Sequence, residues 1–315
     1  MSKGDVVAEP IPVTVIGGYL GSGKTTLVNH LLRTAAGRRI AVLVNEFGAL
    51  PIDADLIEAR DDTMIKLSGG CVCCSYGSDM MAALMDIQQL RPAPDHVLLE
   101  ASGVALPGAV AQSVELLSGC RLDSTVVLAD AETVEERAAD PYLSDTITRQ
   151  LAAADIVLLN KVDLVKADDL EGTSRWIGDA APEARILTTT QASVDPELLL
   201  GATSERVLFE KGYGHDHSHG DSGTGHHAVA IELHGPVDAE VLARQLAAQK
   251  LDLVRAKGVV WEADGTARVI QVVGRRWRVG EAPAGLTGSG RLVCIRADGA
   301  VDEAAVRGAI GVATC

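Results

Sequence analysis

Gly18-Tyr19-Leu20-Gly21-Ser22-Gly23-Lys24-Thr25 fills every fixed position of the phosphate-binding pattern G-x-x-x-x-G-K-[ST]. Gly21 and Gly23 let the backbone turn so that successive N–H groups aim at phosphate oxygens. A helix starting near Lys24 adds its positive end. Lys24 then reaches the β- and γ-phosphates, and the Thr25 hydroxyl ligates Mg2+. Ser22 and Thr26 complete the nucleotide-contacting stretch. An apolar strand pattern (13–16) precedes the loop and an apolar-periodic helix pattern (Leu27, Leu31, Leu32) follows it, as such a loop requires. These residues imply a bound nucleoside triphosphate.

Asn160-Lys161-Val162-Asp163 follows the apolar run 156–159 and matches N-K-x-D, the guanine-reading loop of GTPases. The Asp163 carboxylate can accept from guanine N1–H and from the exocyclic amine, whereas adenine presents an acceptor and no amine there. Two charge-assisted bonds at ~1.5–3 kcal/mol each disfavour ATP by roughly a hundredfold or more. Between the two motifs, residues 95–103 (DHVLLEASG) read as a buried strand ending in Glu100 and Gly103. Glu100 is positioned to hold Mg2+ through water, and the Gly103 N–H to sense the γ-phosphate. The plainer reading of Glu100 is a cap on the following helix.

Three of the six cysteines stand together in Gly69-Gly70-Cys71-Val72-Cys73-Cys74. Three thiolates this close can converge on one metal if the backbone curls, which the glycine pair allows. A disulfide within the cluster would be distorted or strained. At pH 7 thiols of pKa ~8.5 are about 3% ionised, so deprotonating three costs roughly 6 kcal/mol. A zinc site, with apparent binding energies of ~10–16 kcal/mol, sustains that cost. The alternative is a small buried apolar trio. Five of the eight histidines, His215, His217, His219, His226 and His227, fall in a Gly/Ser/Asp-rich stretch. Neutral imidazoles there suit an auxiliary, weaker metal station, or else the stretch is a solvated linker of biased composition.

The elements that must position these groups are read from hydrophobic periodicity. Apolar runs at 13–16, 40–44, 97–99, 125–129 and 156–159 alternate with helical patterns at 25–34, 79–90 and 145–154. That alternation predicts an α/β domain with a mainly parallel, doubly wound sheet, its ligands at the carboxyl ends of the strands. The domain is assigned to 1–207, a His-rich flexible linker to 208–227, and a small α+β, broadly ferredoxin-like domain to 228–315. The last has strands at 228–233, 254–262, 266–273 and 291–295, with helices at 237–249 and 302–310.

The motif set GYLGSGKTT (18–26), NEFG (45–48), GGCVCC (69–74), EASG (100–103) and NKVD (160–163) resembles the CobW-like GTPases. These are metal-handling P-loop proteins related to the urease and hydrogenase maturation GTPases. RAKGVVW (255–261) and RLVCI (291–295) extend the resemblance to that family's second domain. It implies GTP hydrolysis coupled to binding a transition metal and delivering it to a metal-requiring client protein. The metal is most often Zn2+, with Co2+ handled in cobalamin synthesis by some members. It also implies Glu46 in the first switch, Glu100 as the Mg2+-side acid, and Cys71, Cys73 and Cys74 as ligands. A fourth metal position is left open for Glu46, water or a client group, and a nucleotide-dependent homodimer is a further expectation. Ala49 stands where many relatives carry an acid, Gly17 replaces the usual Thr, and residues 1–12 lack the Cys-Pro client-docking segment of eukaryotic members.

Composition narrows the alternatives. The chain has 315 residues, a formal net charge of −15, 47% hydrophobic residues and 3% aromatics. That charge argues against a nucleic-acid partner. No apolar run approaches the ~18–20 residues needed to cross a bilayer. Residues 1–12 carry no apolar signal-peptide stretch, so a cytoplasmic protein without a membrane partner is expected. A metal store or sensor with vestigial GTPase activity is the competing function, and a P-loop kinase a third, opposed by NKVD. No water-positioning Gln and no arginine finger are legible, so intrinsic hydrolysis is expected to be slow.

Overall fold

The computed structural model describes residues 10–34, 37–45, 64–68, 78–201, 226–283 and 286–314. The chain divides into two compact units: 1–154, 158–181 and 188–192 in the first, and 155–157, 182–187 and 193–315 in the second.

The first unit begins with β1 (Ile11–Gly18), α1 (Lys24–Thr34), β2 (Ile40–Asn45), β3 (Met64–Ser68) and α2 (Ser78–Gln89). It continues through β4 (His96–Ala101), α3 (Pro107–Glu115), β5 (Cys120–Asp130), α4 (Val134–Ala139) and α5 (Ser144–Ala152). Then come β6 (Ile156–Asn160), a 3-10 turn (Val162–Leu164), α6 (Ala167–Ala180) and β7 (Arg185–Thr189), of which 156–157 and 185–187 are grouped with the second unit. The strands form one sheet in the order β3-β2-β4-β1-β5-β6-β7, with the β2/β3, β2/β4, β1/β4 and β1/β5 pairs parallel. All five expected strands are present. β3 and β7 are additional; each is five residues long, too short and too polar to stand out as an apolar run.

Burial explains the pattern. Every residue of β4 and β6 is buried, as strands covered on both faces must be. Leu27, Val28 and Leu31 put one stripe of α1 into the core, and Leu84 and Ile87 do so for α2. Register then aligns the chemistry: Ile16 pairs with Glu100, and Gly18 with Leu128. β1 therefore ends between β4 and β5, where connections leave to opposite sides, which is the crevice that α/β sheets use for ligands.

The second unit includes α7 (Pro196–Leu200) and then β8 (His227–Leu233), α8 (Ala239–Leu246), β9 (Arg255–Trp261), β10 (Ala267–Val273), β11 (Arg276–Glu281), β12 (Gly290–Arg296) and α9 (Glu303–Ala313). Its antiparallel sheet runs β11-β10-β9-β12-β8. Ile231, Ile270, Val272 and Leu292 share one buried cluster with Leu242 and Leu246 of α8 and Val306 of α9. Asp238 and Asp302 cap the two helices, accepting from the Val241 and Ala305 N–H groups at 2.9 Å each. β11 adds a fourth consecutive strand to the β-α-β-β-β-α order read from sequence. It follows a turn at Gly274-Arg275, with Gly274 at φ +60, and its Trp277/Val279 alternation is the signal that marks it.

Gly258 of β9 pairs with Leu292 of β12, and a Cβ there would sit 2.2 Å from the Arg291 carbonyl oxygen and 2.8 Å from Leu292 Cα. Gly258→Ala should therefore destabilise this unit by about 2–3 kcal/mol. Urea unfolding of the full chain, followed by tryptophan fluorescence, reads the effect through Trp261 and Trp277. An unchanged midpoint would contradict this packing.

Candidate functional site

The phosphate-binding turn is built at the end of β1. Gly21 adopts φ +76 with open space around it, so its dihedral alone selects glycine. Gly23 adopts φ +108 for a second reason as well: a Cβ would fall 2.5 Å from Asn160 Nδ2. Helix α1 starts at once, with the Leu27 N–H donating to the Gly23 carbonyl at 2.9 Å. Lys24 is buried and its Nζ donates to the Tyr19 carbonyl at 3.4 Å, a long contact on its own loop. Ser22 Oγ is buried without a hydrogen-bond partner.

Thr25 Oγ1 donates to Glu100 Oε1 at 3.0 Å, and Glu100 is 2% exposed. A carboxylate taken out of water at a sheet edge needs compensating positive charge. Two hard oxygens side by side fit a Mg2+ ion, and the unpartnered Ser22 hydroxyl fits a polar ligand on the turn. The structure thus brings together Gly21, Ser22, Gly23, Lys24, Thr25 and Glu100; Thr26 lies on the first turn of α1.

Asn160, 2% exposed, closes the other side. Its Nδ2 donates to the Ser22 carbonyl at 2.9 Å and its Oδ1 accepts from the Ala192 N–H at 2.9 Å. The carboxamide therefore binds the phosphate turn to the loop after β7, where Gln191 and Ala192 take positive φ. This is a positioning role, beyond the base contact that the motif suggests. Lys161, in the left-handed region at φ 65, pairs through Nζ with Asp130 Oδ2 at 2.5 Å. Asp163 is exposed on the 3-10 turn. Gly103 backs onto the phosphate turn, where a Cβ would meet Leu20 Cδ2 at 2.6 Å.

Four contributors escaped the sequence reading. Asp130 ends β5 as Glu100 ends its own strand's apolar run, and the same carboxylate-at-the-edge rule would have found it. Gln150, Arg137 and the Gln191-Ala192 bend carry no local signal.

Glu46, Cys71, Cys73, Cys74, His215, His217 and His219 lie outside the described residues. Among the described residues, no group of three or more His, Cys, Asp or Glu could hold a metal ion. His227 opens β8 and is exposed. His226 lies within the described residues. Its side chain is buried between two carboxylates, Nδ1 2.7 Å from Asp195 Oδ2 and Nε2 3.1 Å from Glu197 Oε2. Hydrogen bonds to Asp195 first and Glu197 second push its pKa from 6.5 up to about 9, outweighing burial. With a carboxylate at each ring nitrogen, the doubly protonated imidazolium can donate on both sides.

Two measurements follow. Asn160→Ala strands the Ser22 carbonyl and the Ala192 N–H; about 2–4 kcal/mol of stability should be lost in thermal unfolding, with nucleotide affinity falling about tenfold or more. His226 carries a raised pKa, so its contribution is complete below pH 6.5 and is lost as pH rises through about 9. Chemical denaturation across that window should show a decline on the order of 3 kcal/mol, and His226→Gln should flatten it.

Among the described residues no helix is long and apolar enough to cross a membrane. The CobW/HypB/UreG nucleotide-binding domain model matches residues 12–188, and the cobalamin synthesis protein cobW C-terminal domain model matches 227–311. A zinc chaperone CobW of a Sinorhizobium species is 29% identical, covering 95% of this chain and 96% of its own. The zinc chaperone YjiA of Escherichia coli is 32% identical, covering 80% of this chain and 82% of its own. The crystal structure of Zn(II)-bound YjiA GTPase from E. coli is 24% identical, covers 98% of this chain and 100% of that chain, and has a TM-score of 0.47. With more than half of its length matched by the nucleotide-binding model and a separate match to the C-terminal one, the chain belongs to the CobW/HypB/UreG family.

Proposed function

We propose that the chain is a GTP-hydrolysing metallochaperone that binds Zn2+ and couples nucleotide turnover to metal delivery into a client protein. The observation that carries the reading is the half-buried Thr25 bonded to the buried Glu100, next to the buried Lys24, on a turn held by Asn160. Relatives named zinc chaperones supply the metal. Thr25 and Glu100 would hold Mg2+, which supplies positive charge to the β- and γ-phosphate oxygens when bound. Lys24 contributes a second cation, and the Gly103 N–H answers to the γ-phosphate. Asp163 selects guanine by accepting from its N1–H and exocyclic amine.

Cys71, Cys73 and Cys74 are the proposed zinc ligands, with Glu46 as a candidate fourth. Co2+ suits the same thiolates. An incomplete ligand shell favours transfer over retention. The cysteine motif lies between the first switch and the Glu100 strand in sequence, so metal there is placed to bias the loops that sense nucleotide. Intrinsic turnover is slow until a client or a second copy completes the site.

The test is reciprocal linkage. Zn2+ should change GTP affinity about fivefold or more, GTP should change Zn2+ affinity by the same factor, and Cys71→Ser should abolish both effects. ATP should compete roughly a hundredfold less well than GTP, a preference that Asp163→Ala removes. Zinc binding that leaves GTP affinity and hydrolysis unaltered would instead identify a metal store.

A further inference from the structure

Two side chains outside every motif grip the two loops that face the phosphate groups, and both stand on the hairpin formed by α4 and α5. From α4, Arg137 Nη1 donates to the Leu20 carbonyl at 2.7 Å, and its guanidinium lies over the Tyr19 ring at 5.2 Å from the centroid. From α5, Gln150 Nε2 donates to the Gly103 carbonyl at 3.0 Å and to the Ala105 carbonyl at 2.8 Å. Gln150 is 2% exposed, so these bonds are made away from water.

The peptide planes follow from those bonds. The Ala105 N–H donates to the Ser102 carbonyl at 2.9 Å, which fixes the Ser102–Gly103 plane. Gln150 fixes the next plane through the Gly103 carbonyl and a later one through Ala105. In a trans peptide the N–H points opposite to the C=O. The N–H groups of Gly103 and Val104 are therefore turned away from the groups that hold Ser102 and Gly103. The same loop meets the phosphate turn, since a Cβ on Gly103 would come within 3.0 Å of the Leu20 nitrogen. A backbone donor stabilises an anion only if its plane is held before the anion arrives.

We infer that Gln150 is a positioning residue for the terminal phosphate: by holding the Gly103 and Ala105 carbonyls it fixes the loop whose backbone donors separate a nucleoside triphosphate from a diphosphate. Arg137 braces the phosphate turn itself, which both nucleotides use. The inference rests on the nucleotide-hydrolysing function proposed above and extends it to a side chain that no phosphate touches.

The experiment measures binding of a slowly hydrolysed GTP analogue and of GDP to the full chain with Mg2+. Gln150→Leu should weaken the triphosphate about tenfold while leaving GDP affinity within twofold, and should lower kcat more than it raises KM. Arg137→Gln should weaken both nucleotides alike, and Arg137→Lys should restore part of that loss. Unchanged GDP affinity reports an intact phosphate turn, so a folding defect is visible as a loss of both. If Gln150→Leu does not fold, Gln150→Asn, one methylene shorter, should produce a smaller shift in the same ratio. A ratio unchanged in both Gln150 variants overturns the inference alone. Wild-type protein that binds no GTP overturns the proposed function and the inference with it.

Discussion

At the carboxyl edge of the first sheet, the Asn160 carboxamide has its two ends committed to two different loops, and the space it occupies forbids a Cβ on Gly23. That one buried group sets how far the phosphate turn stands from the loop after β7. It also orients the backbone that continues into Lys161 and Asp163. Each bond contributes only about 1 kcal/mol net, but losing either leaves a buried backbone group unsatisfied, a larger cost. Because Asn160 ends a fully buried strand, the sheet core holds the clamp in place. The accuracy of the nucleotide site therefore derives from sheet packing.

An acidic chain with a site for a polyanion raises no contradiction. The net charge of −15 acts over the whole surface and is screened within about 10 Å at ordinary salt. The turn depends on close donors: backbone N–H groups, the positive end of α1 and the buried Lys24. Glu100 and Asp130 place carboxylates at the same carboxyl end of the sheet. Glu100 meets Thr25 and is suited to a divalent ion; Asp130 meets Lys161. His226 shows the same logic in the second unit, where two carboxylates flank a buried imidazole and favour its cationic form.

The second unit shows what a small antiparallel sheet needs. Its capped helices bury one apolar face, while the Gly258 crossing lets β9 and β12 approach without a side chain between them. β8 begins at His227, and His226 just before it is already held by Asp195. Composition singles out those two histidines only as part of a His-rich stretch. It had no means of distinguishing a solvated histidine from one facing two carboxylates.

Whatever depends on neighbours along the chain can be read from the residues in order. The phosphate turn, the N-K-x-D loop, Glu100 at a strand end and the alternation of strands and helices are local demands on backbone shape and burial. Each was legible from glycine placement or hydrophobic period. Short strands such as β3 and β7 were not, because five residues with polar interruptions do not rise above a loop. The partners of the side chains that hold the site emerge from the fold. Asn160 meets Ser22 across 138 positions, Arg137 meets Leu20 across 117, Gln150 meets Gly103 across 47 and His226 meets Asp195 across 31. Those pairings are set by strand order and helix packing, which bring distant backbone carbonyls and carboxylates within hydrogen-bond reach, and no local pattern encodes that order.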